Sequence, residues 1–92
     1  MEEKVIHEKE NDRFVIYKDS KETFVSYVLV EGKLNLNHTH TDLELRGQGL
    51  AAQVVRAALE YVKENNLQVI PGCSYVQSFL EKHDEYKELV AE

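Results

Sequence analysis

The 92-residue chain carries 17 acidic against 11 basic side chains, and its net charge of −6 repels nucleic acid and anionic lipid. Its 42% hydrophobic content is enough for one modest core and too much for a disordered chain, and the length leaves no room for a second unit, so residues 1–92 read as a single domain. A lone cysteine, Cys73, excludes an internal disulfide, and no apolar run approaches the roughly 18 residues of a membrane span, so the chain is expected in the cytoplasm, as a monomer or weak dimer without membrane or nucleic-acid partners.

Met1 to Glu10 is a charged run (MEEKVIHEKE) with no element assigned. Arg13 to Lys18 (RFVIYK) and Thr23 to Glu31 (TFVSYVLVE) are rich in β-branched and aromatic residues, and Lys18 to Lys21 (KDSK) between them has turn chemistry, which predicts a hairpin. In the second run Phe24, Val28 and Val30 alternate with Val25, Tyr27 and Leu29, so both faces are apolar and the strand reads as central. After a turn at Glu31-Gly32-Lys33, strict alternation over Leu34 to Thr41 (LNLNHTHT) puts Leu34, Leu36, His38 and His40 on one face and Asn35, Asn37, Thr39 and Thr41 on the other. Polar groups gathered where a strand ends mark a candidate site.

From Gln48 to Asn65 the period changes to that of a helix. Leu50, Val54, Ala57 and Tyr61 form one stripe, Ala51, Val55, Ala58 and Val62 the next, with Gln53, Arg56, Glu60 and Lys63 opposite. Leu67 to Ile70 (LQVI) is a short buried strand stopped by Pro71-Gly72, and strand, helix, strand in that order implies a parallel crossover. Tyr75 to His83 and Asp84 to Glu92 read as one or two short helices anchored by Tyr75, Phe79, Leu80, Tyr86, Leu89 and Val90. The class is α+β.

The junction Arg46-Gly47-Gln48-Gly49-Leu50-Ala51-Ala52 carries the chemistry. Two glycines let backbone N–H groups converge, small residues open the first helical turn, and the helix N-terminus adds partial positive charge, which together make an anion cradle. A Walker loop is excluded because Leu50 stands where Lys is required. A dinucleotide fingerprint matches Gly47, Gly49 and Ala52 but lacks the acidic residue about 20 positions on, where the chain has Leu67 to Gly72.

The third pattern, Gln/Arg-x-x-Gly-x-Gly/Ala, fits Arg46, Gly49 and Ala51. Together with His38-Thr39, Pro71-Gly72-Cys73-Ser74-Tyr75-Val76, Phe79 and His83-x-Glu85-Tyr86, it resembles the GNAT superfamily of N-acetyltransferases, and within it the small cysteine-containing (YjdJ-type) group. The resemblance implies a GNAT-like mixed, mostly antiparallel sheet, one long helix after the glycine-rich turn and a short C-terminal helical segment. It implies acetyl-CoA as cosubstrate and a primary amine as acceptor, a Lys side chain or polyamine suiting the acidic surface. The backbone amides of Gly47, Gln48, Gly49 and Leu50, with Arg46, would hold the coenzyme pyrophosphate; Thr39, His40 and Thr41 would flank its pantetheine arm, with Ala51, Ser74 and Tyr75 completing the contact. The chain departs from the family pattern at Thr41-Asp42-Leu43, where relatives carry an apolar residue and proline, and at Asp84, and it lacks the helices that wall the acceptor site of longer members.

Cys73 and His38 are the catalytic candidates. A thiol beside an imidazole and a helix N-terminus gains thiolate character and can accept an acetyl group, or it can carry a proton while the amine attacks directly; a small packed residue is the plain alternative. Imidazole, titrating near about 6.5, is suited to deprotonate an amine, although the face His38 shares with Leu34 and Leu36 fits a core histidine as well. Tyr75 is a candidate acid, Ser74 a helix cap paired with Gln77, and His83 and Tyr86 are candidates to close over the adenine end. His38, His40, Asp42 and Cys73 offer an alternative Zn²⁺ donor set, but with no paired Cys-x-x-Cys no metal ligand is assigned. A binding-only domain keeping the same fold is the other alternative.

Overall fold

The computed structural model describes residues 4–91, so Met1 to Glu3 of the charged leader and Glu92 of the last helical segment lie outside the described residues. Five strands form one sheet in the order β1-β2-β3-β4-β5: β1 (Ile6–Glu8), β2 (Arg13–Lys18), β3 (Lys21–Val30), β4 (Lys33–Thr41) and β5 (Gln68–Ile70). The first four are antiparallel and β5 runs parallel to β4, with helix α1 (Leu50–Glu64) as the crossover. Helix α2 (Ser74–Lys82) and a 3₁₀ segment, Asp84–Leu89, complete the chain. The α+β class and the strand, helix, strand order are as the sequence predicts.

The β2–β3 and β3–β4 hairpins close through two-residue turns whose residues all have positive φ, Asp19 and Ser20 in one and Glu31 and Gly32 in the other, the geometry that matches strand twist. Helix α1 starts at Gly49, whose φ of 75° makes it a left-handed cap, and stops where Asn66 turns left-handed at φ 55°. Its buried face comprises Leu50, Val54, Val55, Ala58, Leu59 and Val62: Leu59 joins from outside the two predicted stripes, while Ala51, Ala57 and Tyr61 of those stripes are only half-buried. This face packs on Phe14, Ile16, Val25, Tyr27, Leu34, Leu36 and Val69 from the strands. Each such side chain contributes about 1.5–3 kcal/mol by leaving water.

The tail is fastened to the same side. Val76, Phe79, Leu80 and Tyr86 are buried. The Tyr86 hydroxyl donates to Glu60 at 2.6 Å and accepts from the Arg56 guanidinium at 3.2 Å, while the Ala91 N–H donates to the Val69 carbonyl at 2.9 Å. Tyr75 is not the core anchor expected, being 37% exposed at the start of α2. No helix among the described residues is long and apolar enough to cross a membrane.

Three readings of the strands are corrected. β1 forms in the charged leader, where Ile6 and His7 pair with Val15 and Phe14. His7 stacks on Phe14 at 4.0 Å and hydrogen-bonds the Tyr27 hydroxyl through Nε2 at 2.7 Å, so aromatic packing overrides a run whose charge pattern hides it. β3 is central, as predicted, but its end is not buried on either face, since Val28, Leu29 and Val30 run out beyond the helix layer.

The third correction governs the site. The β3–β4 register slips between Ser26 and Tyr27, so that Asn37 is inserted into β4 as a bulge. Beyond it the alternation inverts: Thr39 pairs with buried Val25 and Thr41 with buried Thr23 on the helix side, whereas His38 and His40 pair with Ser26 and Phe24 on the open face. His38 and His40 therefore do not share a face with Leu34 and Leu36, and His38 is not a core histidine.

Candidate active site

The sheet splits at the C-terminal end of β5. Pairing of β4 with β5 covers only Lys33 to Asn35 against Gln68 to Ile70, after which β4 runs on to Thr41 while Pro71 and Gly72 lead the other chain away. Gly72 is needed at the fork because a Cβ there would run into the amide oxygen of Asn35 and press on the Asn37 backbone. Cys73 follows directly and turns back to β4, its Sγ lying 3.5 Å from the Thr39 hydroxyl.

Cys73 has extended backbone angles and serves as the N-cap of α2. Burial pushes its thiol up, but the Thr39 hydroxyl and the backbone N–H groups of Tyr75, Val76 and Thr39 outweigh burial, and the thiol lies below its ordinary value. Converging donors on sulfur stabilise the thiolate. The cause differs from the one anticipated: His38 stands on the opposite face of β4 from Thr39, so the start of Cys73's own helix and a hydroxyl do what an imidazole was expected to do. Ser74 is the first residue of α2 rather than its cap, and Gln77 closes no capping box but donates its side-chain amide to the Pro71 carbonyl at 3.1 Å.

A cavity of about 350 Å³ opens beside this fork, on the helix side of β4. Thr39 and Thr41 line it from the strand, Leu45, Arg46, Gly47 and Gly49 from the connecting loop, Leu50 and Ala51 from α1, and Tyr75 from α2. Gly47 and Gly49, with φ of 84° and 75°, hold left-handed conformations that turn the chain into the N-terminus of α1. That terminus presents N–H groups without intrahelical partners. Burial pushes the Tyr75 hydroxyl up, which keeps it protonated and able to donate.

Asp42, a departure from the family pattern, is spent locally: its carboxylate accepts from the Glu44 N–H at 3.1 Å and caps the 3₁₀ turn Leu43–Leu45. Glu44 is paired with Lys21 at 2.6 Å. The Gln48 amide oxygen accepts from Lys18 Nζ at 2.7 Å. His40 faces Phe24 on the open side, 5.3 Å between ring centroids, and does not line the cavity.

The structure thus brings together Thr39, Thr41, Arg46, Gly47, Gly49, Leu50, Ala51 and Tyr75, with Cys73 joined through Thr39, and leaves the side chains of His38 and His40 on the other face. The alternative Zn²⁺ donor set is separated by the same inversion, and among the described residues no group of three or more His, Cys, Asp or Glu side chains gathers. His83 stacks on Phe79 at 3.9 Å and Tyr86 is buried under Arg56, so both fasten the tail. Sequence reasoning missed Leu45, buried at the cavity wall, for which an isolated leucine in a polar connection is the signal.

A parallel strand pair that parts at Pro71, with a glycine-capped helix between the two strands, is the GNAT architecture. Residues 13–89 match the GCN5-related N-acetyl-transferase family, and the chain belongs to it. The solution structure of a GCN5-like protein from Staphylococcus aureus superposes with a TM-score of 0.75 at 29% identity, covering 96% of this chain and 87% of that one. Protein NATD1 of Danio rerio is 28% identical over 92 residues, 95% of this chain and 84% of its own length. Protein NATD1 of Bos taurus is 34% identical over 50 residues, so the match spans 54% of this chain and less than half, 44%, of that relative.

Proposed function

We propose that the chain binds acetyl-coenzyme A along this cavity and transfers the acetyl group to a primary amine. One observation carries the reading: a single cavity joins an anion cradle at Gly47, Gly49 and Leu50 to Thr39, whose hydroxyl touches the Cys73 sulfur behind the wall, an arrangement suited to a thioester on a pyrophosphate-bearing arm. Beyond Asn35 the edge of β4 has no strand partner and offers backbone groups to the amides of the pantetheine arm, apart from the Thr39 N–H, which serves the Cys73 sulfur, and the Thr41 carbonyl, which accepts from Arg46. Family membership adds support for acetyl transfer in general.

Two routes are open to these residues. In the direct route a neutral amine attacks the thioester carbonyl carbon, the C–S bond breaks, and the departing coenzyme thiolate takes a proton from the Tyr75 hydroxyl or the Cys73 thiol. The proton lost by the amine goes to water; His38, the base expected from the sequence, stands on the face of β4 opposite the cavity. In the covalent route the Cys73 thiolate, stabilised by Thr39 and the first turn of α2, attacks the same carbon, expels the coenzyme thiolate and forms an acetyl-cysteine thioester that the amine then cleaves. The net charge of −6 favours a cationic acceptor such as a Lys side chain, a polyamine or a basic peptide.

Intact-mass spectrometry after incubation with acetyl-coenzyme A, with and without spermidine or a lysine peptide, tests the reading. An acetyl adduct on the protein that is lost in Cys73→Ala supports the covalent route, and acetylated amine without a protein adduct supports the direct one. Thermal stabilisation with neither product supports binding without catalysis, and absence of all three signals overturns the reading.

A further inference from the structure

Tyrosines aside, Thr23 is the one buried polar side chain among the described residues: it is 0% exposed, and its Oγ1 has no hydrogen-bond partner among them. A buried hydroxyl without a partner destabilises a core that valine, of nearly the same shape, would fill without that loss. The strand register fixes where a partner can come from. Thr23 stands between Ile16 of β2 and Thr41 of β4. Ile16 has no acceptor to offer, whereas Thr41 carries a hydroxyl and lines the cavity. The Asp42 N–H donates to the Glu22 carbonyl at 3.2 Å, which makes Glu22 and Asp42 a hydrogen-bonded pair and Thr23 and Thr41, one step along, a closely spaced pair with Cβ atoms about 4.5–5.5 Å apart. The Thr41 carbonyl accordingly points away from β3, toward Arg46 Nε at 3.5 Å. At that spacing two threonine hydroxyls reach each other.

We propose that Thr23 is a positioning residue for the coenzyme site, its buried hydroxyl donating to the Thr41 hydroxyl when Thr41 donates to the bound coenzyme; this rests on the proposed binding of acetyl-coenzyme A. A threonine hydroxyl has one proton to give and two lone pairs to receive with. An acceptor on the coenzyme, a phosphate or amide oxygen in the cavity, takes the Thr41 proton and turns the Thr41 lone pairs back toward β3. Thr23 then finds its acceptor, and the two bonds in series polarise one another. Thr23 does not line the cavity and acts only through Thr41. The hydroxyl that weakens the core is thereby satisfied on binding, and its pairing adds to affinity.

The test is calorimetric titration with coenzyme A, and a melting curve without it, for wild type, Thr23→Val, Thr23→Ser, Thr41→Val and the Thr23→Val/Thr41→Val double variant. Thr23→Val is expected to melt about 4 °C higher than wild type, being relieved of an unpaired hydroxyl, and yet to bind coenzyme A about fivefold more weakly, as for one neutral hydrogen bond. Thr23→Ser, which keeps the hydroxyl and loses a buried methyl group, is expected to melt lower and to bind within about twofold of wild type. The double variant is expected to bind as Thr41→Val does, because without the Thr41 hydroxyl Thr23 has nothing to act through. Wild-type affinity in Thr23→Val, while wild type binds coenzyme A, overturns the role of Thr23 and leaves the binding reading standing; a lower melting temperature in that case assigns the hydroxyl to the core's own hydrogen bonding. A further fivefold loss on adding Thr23→Val to Thr41→Val assigns Thr23 to the shape of the wall, and this too overturns the proposal. Wild type that binds no coenzyme A overturns both readings together.

Discussion

Replacing Gly49 by Asp and, in parallel, by Asn separates the electrostatics of the cradle from its backbone geometry. A side chain at this position meets nothing within 4 Å, so the steric cost is confined to the φ of 75°. That cost is about 1–2 kcal/mol for an ordinary residue and less for Asp and Asn, which visit the left-handed region most readily, and it falls on both variants alike. They differ by one negative charge at the mouth of the cradle. A carboxylate about 5 Å from a phosphate opposes it by about 1 kcal/mol at the dielectric constant of water and about 3 kcal/mol at the effective value near a protein surface. The Asp variant should therefore bind coenzyme A roughly fivefold to a few hundredfold more weakly than the Asn variant at low salt, with the gap narrowing as salt rises. Calorimetric titration gives the affinities, and melting curves without ligand establish that the two variants are equally folded. Equal affinity of the Asp and Asn variants would refute the claim that this turn receives an anion.

Thr39→Val removes the hydroxyl that lies on the Cys73 sulfur and should move the pH at which the thiol begins to react with iodoacetamide upward; an unchanged profile would mean that the backbone N–H groups of α2 hold the thiolate without it. Burial, with Lys9 adding to it, lowers the His7 pKa below its ordinary 6.5, so the unfolded chain takes the proton more readily than the folded one. The His7 contribution to stability is thus complete above about pH 6.5 and is lost as pH falls below it, and His7→Phe should flatten melting temperature against pH across that range. Gly72→Ala forces the Asn35 amide aside and should cost about 1–3 kcal/mol, or several degrees in melting temperature, with much of it restored by adding Asn35→Ala; no recovery in the double variant would place the clash on the Asn37 backbone instead.

The elements that are legible in the sequence are those whose local signals agree. The period of α1, the turn chemistry at Asp19-Ser20 and Glu31-Gly32, and Pro71-Gly72 after a short apolar run all point to what forms. The cradle is legible for the same reason, because left-handed Gly47 and Gly49 and small Ala51 are set by residue type. The histidines are misread because alternation over LNLNHTHT is locally faultless; the Asn37 bulge arises from pairing with β3, which holds Ser26 against His38 and then Tyr27 against Leu36. That one inserted residue decides which of Thr39 and His38 meets Cys73. The hydroxyl–thiol contact and the Lys18–Gln48 bond join distant positions that no short window of the sequence contains together, and the strand at Ile6–Glu8, though next to its partner in the chain, is fastened through His7 to Tyr27 and Tyr61 farther along it.

The central claim, that the glycine turn and the edge of β4 beyond Asn35 form one coenzyme site, is tested most directly by following backbone amide resonances of the isotopically labelled protein during titration with coenzyme A. The account predicts saturable shifts largest at Gly47, Gly49 and Leu50 and continuing along Thr39 and Thr41, with Leu29 and Val30 at the far end of the sheet unmoved. Saturable shifts centred elsewhere, or none at millimolar coenzyme A, would contradict it.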